Sequence, residues 1–190
     1  FSSFFYILIS SALGGGLVVD GAYFRGADGR SGELGFLMSG DGQGQIQNFV
    51  SLSGLSRPLE AAGSTIIDML EAGGKNAQIE QIVEAWIDDA VERLAAPLTA
   101  INCLINPAAV LIGGRLPARY VDRLADRLGA LLQKRAVNAP VLAPIQRAML
   151  AEDAPAVGAA ILPFSHFLLP KPNALWKAPE RVASERYSLS

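Results

Sequence analysis

The chain has 190 residues, enough for one well-packed domain or a large part of a two-lobed protein. A net charge of −2 gives no general attraction to nucleic acid, which needs many Lys and Arg to neutralise phosphates. The single cysteine, Cys103, excludes an internal disulfide and favours a cytoplasmic location, while an apolar fraction of 51% predicts faces meant for a partner or a second lobe.

In chain order, Phe4–Ile9 predicts a strand buried on both faces, being short, continuous and rich in aromatic and β-branched residues. The glycines of Gly14-Gly15-Gly16 predict a turn that returns the chain as a second strand over 17–19. Asp20-Gly21 then offers a hairpin turn into Ala22-Tyr23-Phe24-Arg25. The run Phe1 to Val19 has membrane-like composition but is broken by serine pairs and glycines, so a strand pair is expected and no membrane helix. The opening residues read as the interior of a longer protein, with an amino-terminal part expected upstream.

From Gly26 to Gly54 glycine, serine and glutamine dominate, the composition of an ordered ligand loop or a flap. A helix is expected over 58–70, ended by Gly73-Gly74. The strongest helix follows, capped by Asn76, with Ile79, Val83, Trp86, Ile87, Ala90, Leu94, Leu98 and Ile101 on one face and a kink at Pro97. Its acidic residues Glu80, Glu84, Asp88, Asp89 and Glu92 read as a solvated face, and Trp86 and Cys103 as core. A short strand over 109–112 ends at Gly113-Gly114; a helix over 117–134, a strand over 141–145 and a small-residue helix over 157–161 follow. His166 has no catalytic company and reads as structural. Residues 170–190, with three prolines, read as a loose tail or an arm on a neighbouring subunit.

Three ordered blocks carry a resemblance: Ser10-Ser11-Ala12-Leu13-Gly14-Gly15-Gly16 followed by Gly26 and Ser31-Gly32-Glu33-Leu34-Gly35-Phe36; Asn106-Pro107-Ala108-Ala109-Val110-Leu111-Ile112-Gly113-Gly114; and Glu152-Asp153-Ala154-Pro155-Ala156-Val157-Gly158-Ala159-Ala160. Their order and spacing resemble the ROK family of repressors, open reading frames and sugar kinases. The resemblance implies an α/β fold, the carboxy-terminal lobe of the actin-like ATPase (ribonuclease H-like) fold, with a mixed sheet flanked by helices. On that basis 1–169 form the lobe, 26–56 are its inserted ligand loop and 170–190 its extended tail.

The resemblance also assigns candidate residues. In the family the Glu of Gly-Glu-x-Gly-His accepts hydrogen bonds from sugar hydroxyls, which points to Glu33; the alternative for Glu33 is a solvated carboxylate or a turn cap. Phe36 stands where the family has a histidine and could stack on a pyranose face. The family's zinc-binding cysteine block corresponds to Asp41-Gly42-Gln43-Gly44-Gln45-Ile46-Gln47, which places Gln47 at a second sugar-binding carboxylate. Tetrahedral zinc needs thiolates or imidazoles, and this segment has neither, so no zinc is expected.

Family kinases cradle ATP phosphates on the glycine turn, which here points to Ser11, Gly14 and Gly15, with Gly113 and Gly114 beside the adenosine. Side chains at Ser10, Ser11 and Ala12 narrow that approach, and a strand connection without a ligand is the equal alternative. The kinases' general base lies upstream of the first strand here, so no catalytic residue is expected in the chain itself. The expected function is the sugar-sensing, homodimeric effector lobe of a ROK-type transcription regulator, with DNA read only by an upstream part. The alternatives are a diverged, zinc-less sugar kinase using ATP and Mg²⁺, and a structural remnant that binds nothing.

Overall fold

The computed structural model describes residues 1–135 and 142–149. Val141, the Glu152–Ala160 block, the helix expected over 157–161, His166 and the tail lie outside the described residues.

Strand β1, Phe4–Ile9, pairs antiparallel with β2, Leu13–Val19, and β2 with the two-residue β3, Ala22–Tyr23. On its other side β1 pairs in parallel with β4, Val110–Gly114, which pairs in parallel with β5, Ile145–Arg147. The sheet is therefore mixed, in the order β3-β2-β1-β4-β5. Along β1 the pattern alternates: Phe5, Ile7 and Ile9 are buried, while Phe4, Tyr6 and Leu8 are half-buried. The strand is thus sealed on one face, not on both as expected.

The helices are α1, Leu52–Ala61; α2, Ile66–Ala72; α3, Ala77–Ile105; and α4, Ala118–Arg135. The single helix expected over 58–70 is two. Ser51 caps α1 through the Gly54 amide, so Pro58 falls inside the helix, and a Thr65–Asp68 capping box starts α2 afresh. Asn76 caps α3 as expected, accepting from the amides of Gln78 and Ile79, and the helix continues through Pro97. It ends at Asn106 in the left-handed region (φ 51°), which asparagine tolerates, with Pro107 blocking continuation.

One apolar core joins the buried face of β1 and β4 to α1, α3 and α4, with Leu55, Ile87, Leu94, Leu98, Ile112 and Leu128 fully buried. Trp86 belongs to it as expected, and its indole N–H donates to the Phe49 carbonyl at 2.8 Å. Buried Asn102 bonds both the Leu98 carbonyl, at 2.8 Å, and the Ala143 amide, at 2.7 Å, which pins the approach to β5 against α3.

Two expectations are corrected. Cys103 is exposed, because the last turn of α3 runs past the core and leaves its apolar residues Leu104 and Ile105 in solvent too. The acidic face of α3 is an ion-paired seam: Arg123 bridges Glu80 and Glu84, Arg127 bridges Glu84 and Asp88, and Arg135 meets Glu92.

Candidate functional site

The ligand loop is laid across β2 at points where no side chain intervenes. A Cβ on Gly15 would overlap the carbonyl oxygen of Gly32, and one on Gly32 would stand 2.7 Å from the carbonyl carbon and oxygen of Gly15. Three residues on, a Cβ on Gly35 would overlap the carbonyl oxygen of Leu13. The backbones of strand and loop are therefore in direct contact at both crossings. From the first crossing the chain turns through a short 3-10 segment, Leu34–Phe36, whose leading residue is Glu33.

Glu33 is exposed at the rim of a cleft of about 280 Å³, whose wall is formed by Phe5 and Leu17 of the sheet, Phe24, Leu37 and, from the end of α3, Ile101 and Ile105. A carboxylate on an apolar wall suits a ligand with hydroxyls on one edge and C–H groups on its face. Gln47 lies in a second 3-10 turn, Ile46–Asn48, with its Cβ 3.1 Å from where a Cβ of Gly35 would stand, and its side-chain amide donates to Gln45 Oε1 at 2.7 Å. Glu33 and Gln47 therefore sit on neighbouring turns. Phe36 is 57% exposed, and neither Phe36 nor Gln47 is among the residues that line the Glu33 cleft.

The second set of sequence candidates lies at the end of the sheet. Gly14 and Gly15 are not in a turn: they are strand residues of β2, paired with Leu8 and Ile7. The missing Cβ, read as a signal for bending, instead permits the crossing by Gly32. The turn proper is Ser10-Ser11-Ala12, with Ser11 and Ala12 exposed. Its carbonyls are engaged by α1, since the Leu52 amide donates to Ser10 at 2.8 Å and the Ser53 hydroxyl to Ser11 at 2.6 Å.

Gly113 and Gly114 end β4 beside it. Gly114 pairs with Ile9, and a Cβ there would overlap the Ile9 carbonyl, while one on Gly113 would overlap the hydroxyl of Tyr6. Among the described residues that hydroxyl has no hydrogen-bond partner, and burial pushes its pKa up. Both glycines thus have a packing reason to be glycine. The Ser10–Ala12 turn and Gly113-Gly114 nonetheless converge at the carboxyl ends of the parallel strands β1 and β4, where open α/β sheets commonly bind ligands.

The metal question turns on the segment 36–47. Its one carboxylate, Asp41, is bound by the guanidinium of Arg93 at 2.9 Å. A divalent cation there would face a fixed positive charge and would find neither thiolate nor imidazole, so the residues present do not fit zinc. Among the described residues no three His, Cys, Asp or Glu side chains cluster as metal ligands. Arg93 is the residue of this region that the sequence reading missed; it sits on the helix classified by its apolar stripe, and its partners are 52 and 54 residues away.

The strand order, the parallel β1–β4–β5 set and the helices packed on it define an α/β lobe of the actin-like ATPase kind. The chain belongs to the ROK family, whose profile matches residues 1–165. It is 29% identical over 175 residues to the bifunctional enzyme NanE/NanK of Brucella melitensis, covering 85% of this chain and 31% of that protein. The fold is shared with a ROK glucokinase from Streptomyces griseus in complex with glucose and AMPPNP (TM-score 0.68, 20% identity, 85% of this chain and 60% of that one). It is shared too with a ROK transcriptional regulator homologous to the E. coli Mlc protein (TM-score 0.55, 20% identity, 77% and 42%). The chain spans less than half the length of the curated relatives it matches. Among the described residues no helix is long and apolar enough to cross a membrane.

Proposed function

We propose that this chain is the sugar-sensing effector lobe of a ROK-type transcription regulator. The observation that carries the reading is the contrast between the two candidate sites. The loop bearing Glu33 is held against β2 by backbone contacts that tolerate no side chain, so a site-shaping structure is kept. The turn that family kinases use for phosphate instead carries side chains at Ser10, Ser11 and Ala12, and the Ser10 amide, which could serve an anion, already donates to the Ala12 carbonyl at 2.9 Å.

In this reading Glu33 accepts hydrogen bonds from sugar hydroxyls and Gln47 contributes an amide from the neighbouring turn, while the apolar wall that includes Phe24, and not Phe36, meets the sugar face. Zinc takes no part, and the lobe works as a homodimer in the cytoplasm, with DNA read by a different part of the protein. ROK neighbours with bound glucose and with a regulator's role support a sugar ligand and make both a sensing and a catalytic use of the fold available.

The second reading is a zinc-less sugar kinase. One observation favours it: Gly113-Gly114 and the Ser10–Ala12 turn meet at the carboxyl ends of β1 and β4, and the glucokinase neighbour carries AMPPNP together with its sugar. Incubating the full-length protein, with the part upstream of Phe1 that would carry the kinases' general base, with ATP, Mg²⁺ and a panel of hexoses and N-acetylhexosamines separates the two. The regulator reading expects sugar binding by calorimetry with no ADP released above a protein-free blank; sugar-dependent ADP release would overturn it in favour of the kinase.

A further inference from the structure

We propose that Arg93 is a positioning residue for the ligand loop: its guanidinium, and no metal ion, holds the Met38–Gln45 hairpin on α3 and so fixes the turn of Gln47 beside that of Glu33. The sugar-contact part of this rests on the reading above; the staple itself does not.

The hairpin closes first on itself. Met38 and Gln45 form a bridge, the Ser39 amide donates to the Gly44 carbonyl at 2.7 Å, the Ile46 amide to Leu37 at 2.8 Å, and Gln43's amide to Asp41 Oδ1 at 3.0 Å. None of these bonds attaches the hairpin to the rest of the fold. Arg93 does. Its Nη1 donates to the hydroxyl of buried Ser39 and, at 2.9 Å, to Asp41 Oδ2, while its Nε donates at 2.7 Å to Asp89 one helical turn back.

The guanidinium also lies over the Phe49 ring, 3.7 Å from its centroid, and the side chain is only 12% exposed. A planar fork that stacks and donates in several directions is a task for arginine that a lysine ammonium fills in part only. Asp41's carboxyl is held below the ordinary range, first by the Gln43 amide and then, against the opposing effect of burial, by Ser39 and Arg93.

The hold passes on to the site. Ile46 is fully buried and begins the 3-10 turn carrying Gln47; the Gln47 carbonyl accepts from Ser51 at 2.7 Å, and its Cβ abuts Gly35 in the Glu33 turn. Releasing the hairpin removes the support on the amino-terminal side of that turn.

Amide hydrogen exchange on the whole chain, without sugar, tests this. In Arg93→Ala the amides of Ser39 and Ile46 should exchange at least about tenfold faster while amides of α4 around Leu128 keep their rates. Arg93→Lys should fall between, and a chelator should leave the wild type unchanged. Unchanged rates in Arg93→Ala, a uniform rise that includes α4, or opening of the wild-type hairpin by chelator would each overturn the proposal. If Arg93→Ala does not fold, Asp41→Asn, which removes one exposed leg, must show the same local rise. Calorimetry then tests positioning: sugar affinity should drop at least about fivefold in Arg93→Ala and recover in part in Arg93→Lys. An open hairpin with unchanged affinity would refute the positioning role, whereas a wild type that binds no sugar refutes the functional reading and leaves the staple to be judged by exchange.

Discussion

A methyl group at position 15 and one at position 14 meet opposite surroundings, although the two glycines are neighbours in one strand. At 14 the nearest atom would be Leu8 Cβ at 3.8 Å, an ordinary contact; at 15 it would overlap the backbone of Gly32. Gly14→Ala should therefore change stability by less than about 0.5 kcal/mol, and Gly15→Ala should cost about 1–3 kcal/mol by forcing strand and loop apart. Thermal unfolding of the pair reads this directly, and equal melting temperatures would contradict the crossing. Asn102 offers a second residue-scale test. It is buried and serves the Leu98 carbonyl and the Ala143 amide at once, so Asn102→Ala leaves a buried donor unpaired and should cost roughly 1–3 kcal/mol. Chemical denaturation measures that cost.

The seam between α3 and α4 decides the pH behaviour at the scale of elements. Burial alone would push the Glu80 carboxyl up, but hydrogen bonds from Tyr120 and Arg123 and the charges of Arg123 and Arg119 outweigh it and hold the carboxyl below its ordinary range. A depressed carboxyl stabilises the fold above its unfolded pKa of about 4.3 and loses that contribution as the pH falls through the folded value. Glu80→Gln should thus lower stability at pH 7 and flatten its decline below about pH 4.3; a decline as steep as in the wild type would exclude Glu80 as a source. The outer pairs are more exposed, with Glu92 at 58% and Asp88 at 70%, so their removal should cost no more than about 0.5 kcal/mol.

This seam also shows what the sequence concealed. The period of α3 and its Asn76 cap are local signals and were legible. The partners of Glu80 and Glu84 lie on another helix about forty residues on, and nothing in an acidic face tells a solvated surface from a paired one. Glycine is ambiguous for a similar reason. Its lack of Cβ serves both bending and close approach, so Gly14 and Gly15 read as a turn while the chain bends at Ser10–Ala12. Cys103 misled because an apolar run continues after the helix has left the core. At the candidate site the Glu33 turn was readable from its glycines, but Arg93 was not, since its contacts cross more than fifty residues.

In the whole molecule, a ROK lobe carries a cleft lined in part by Glu33, and at the end of its sheet the Ser10–Ala12 turn exposes Ser11 and Ala12; the proposed function assigns sugar to the first and no nucleotide to the second. The homodimer it includes predicts a solution mass near twice the 20.0 kDa of one chain, which sedimentation equilibrium checks. The most direct test is titration calorimetry of hexoses and N-acetylhexosamines into the wild-type chain and into Glu33→Gln, a substitution at an exposed position that leaves the core untouched. Loss of a charged acceptor should weaken binding by about 1.5–3 kcal/mol, or roughly 10- to 150-fold. Binding in the wild type that falls by that factor in the variant is the predicted result; no binding of any sugar, or equal affinity in both proteins, would contradict the account.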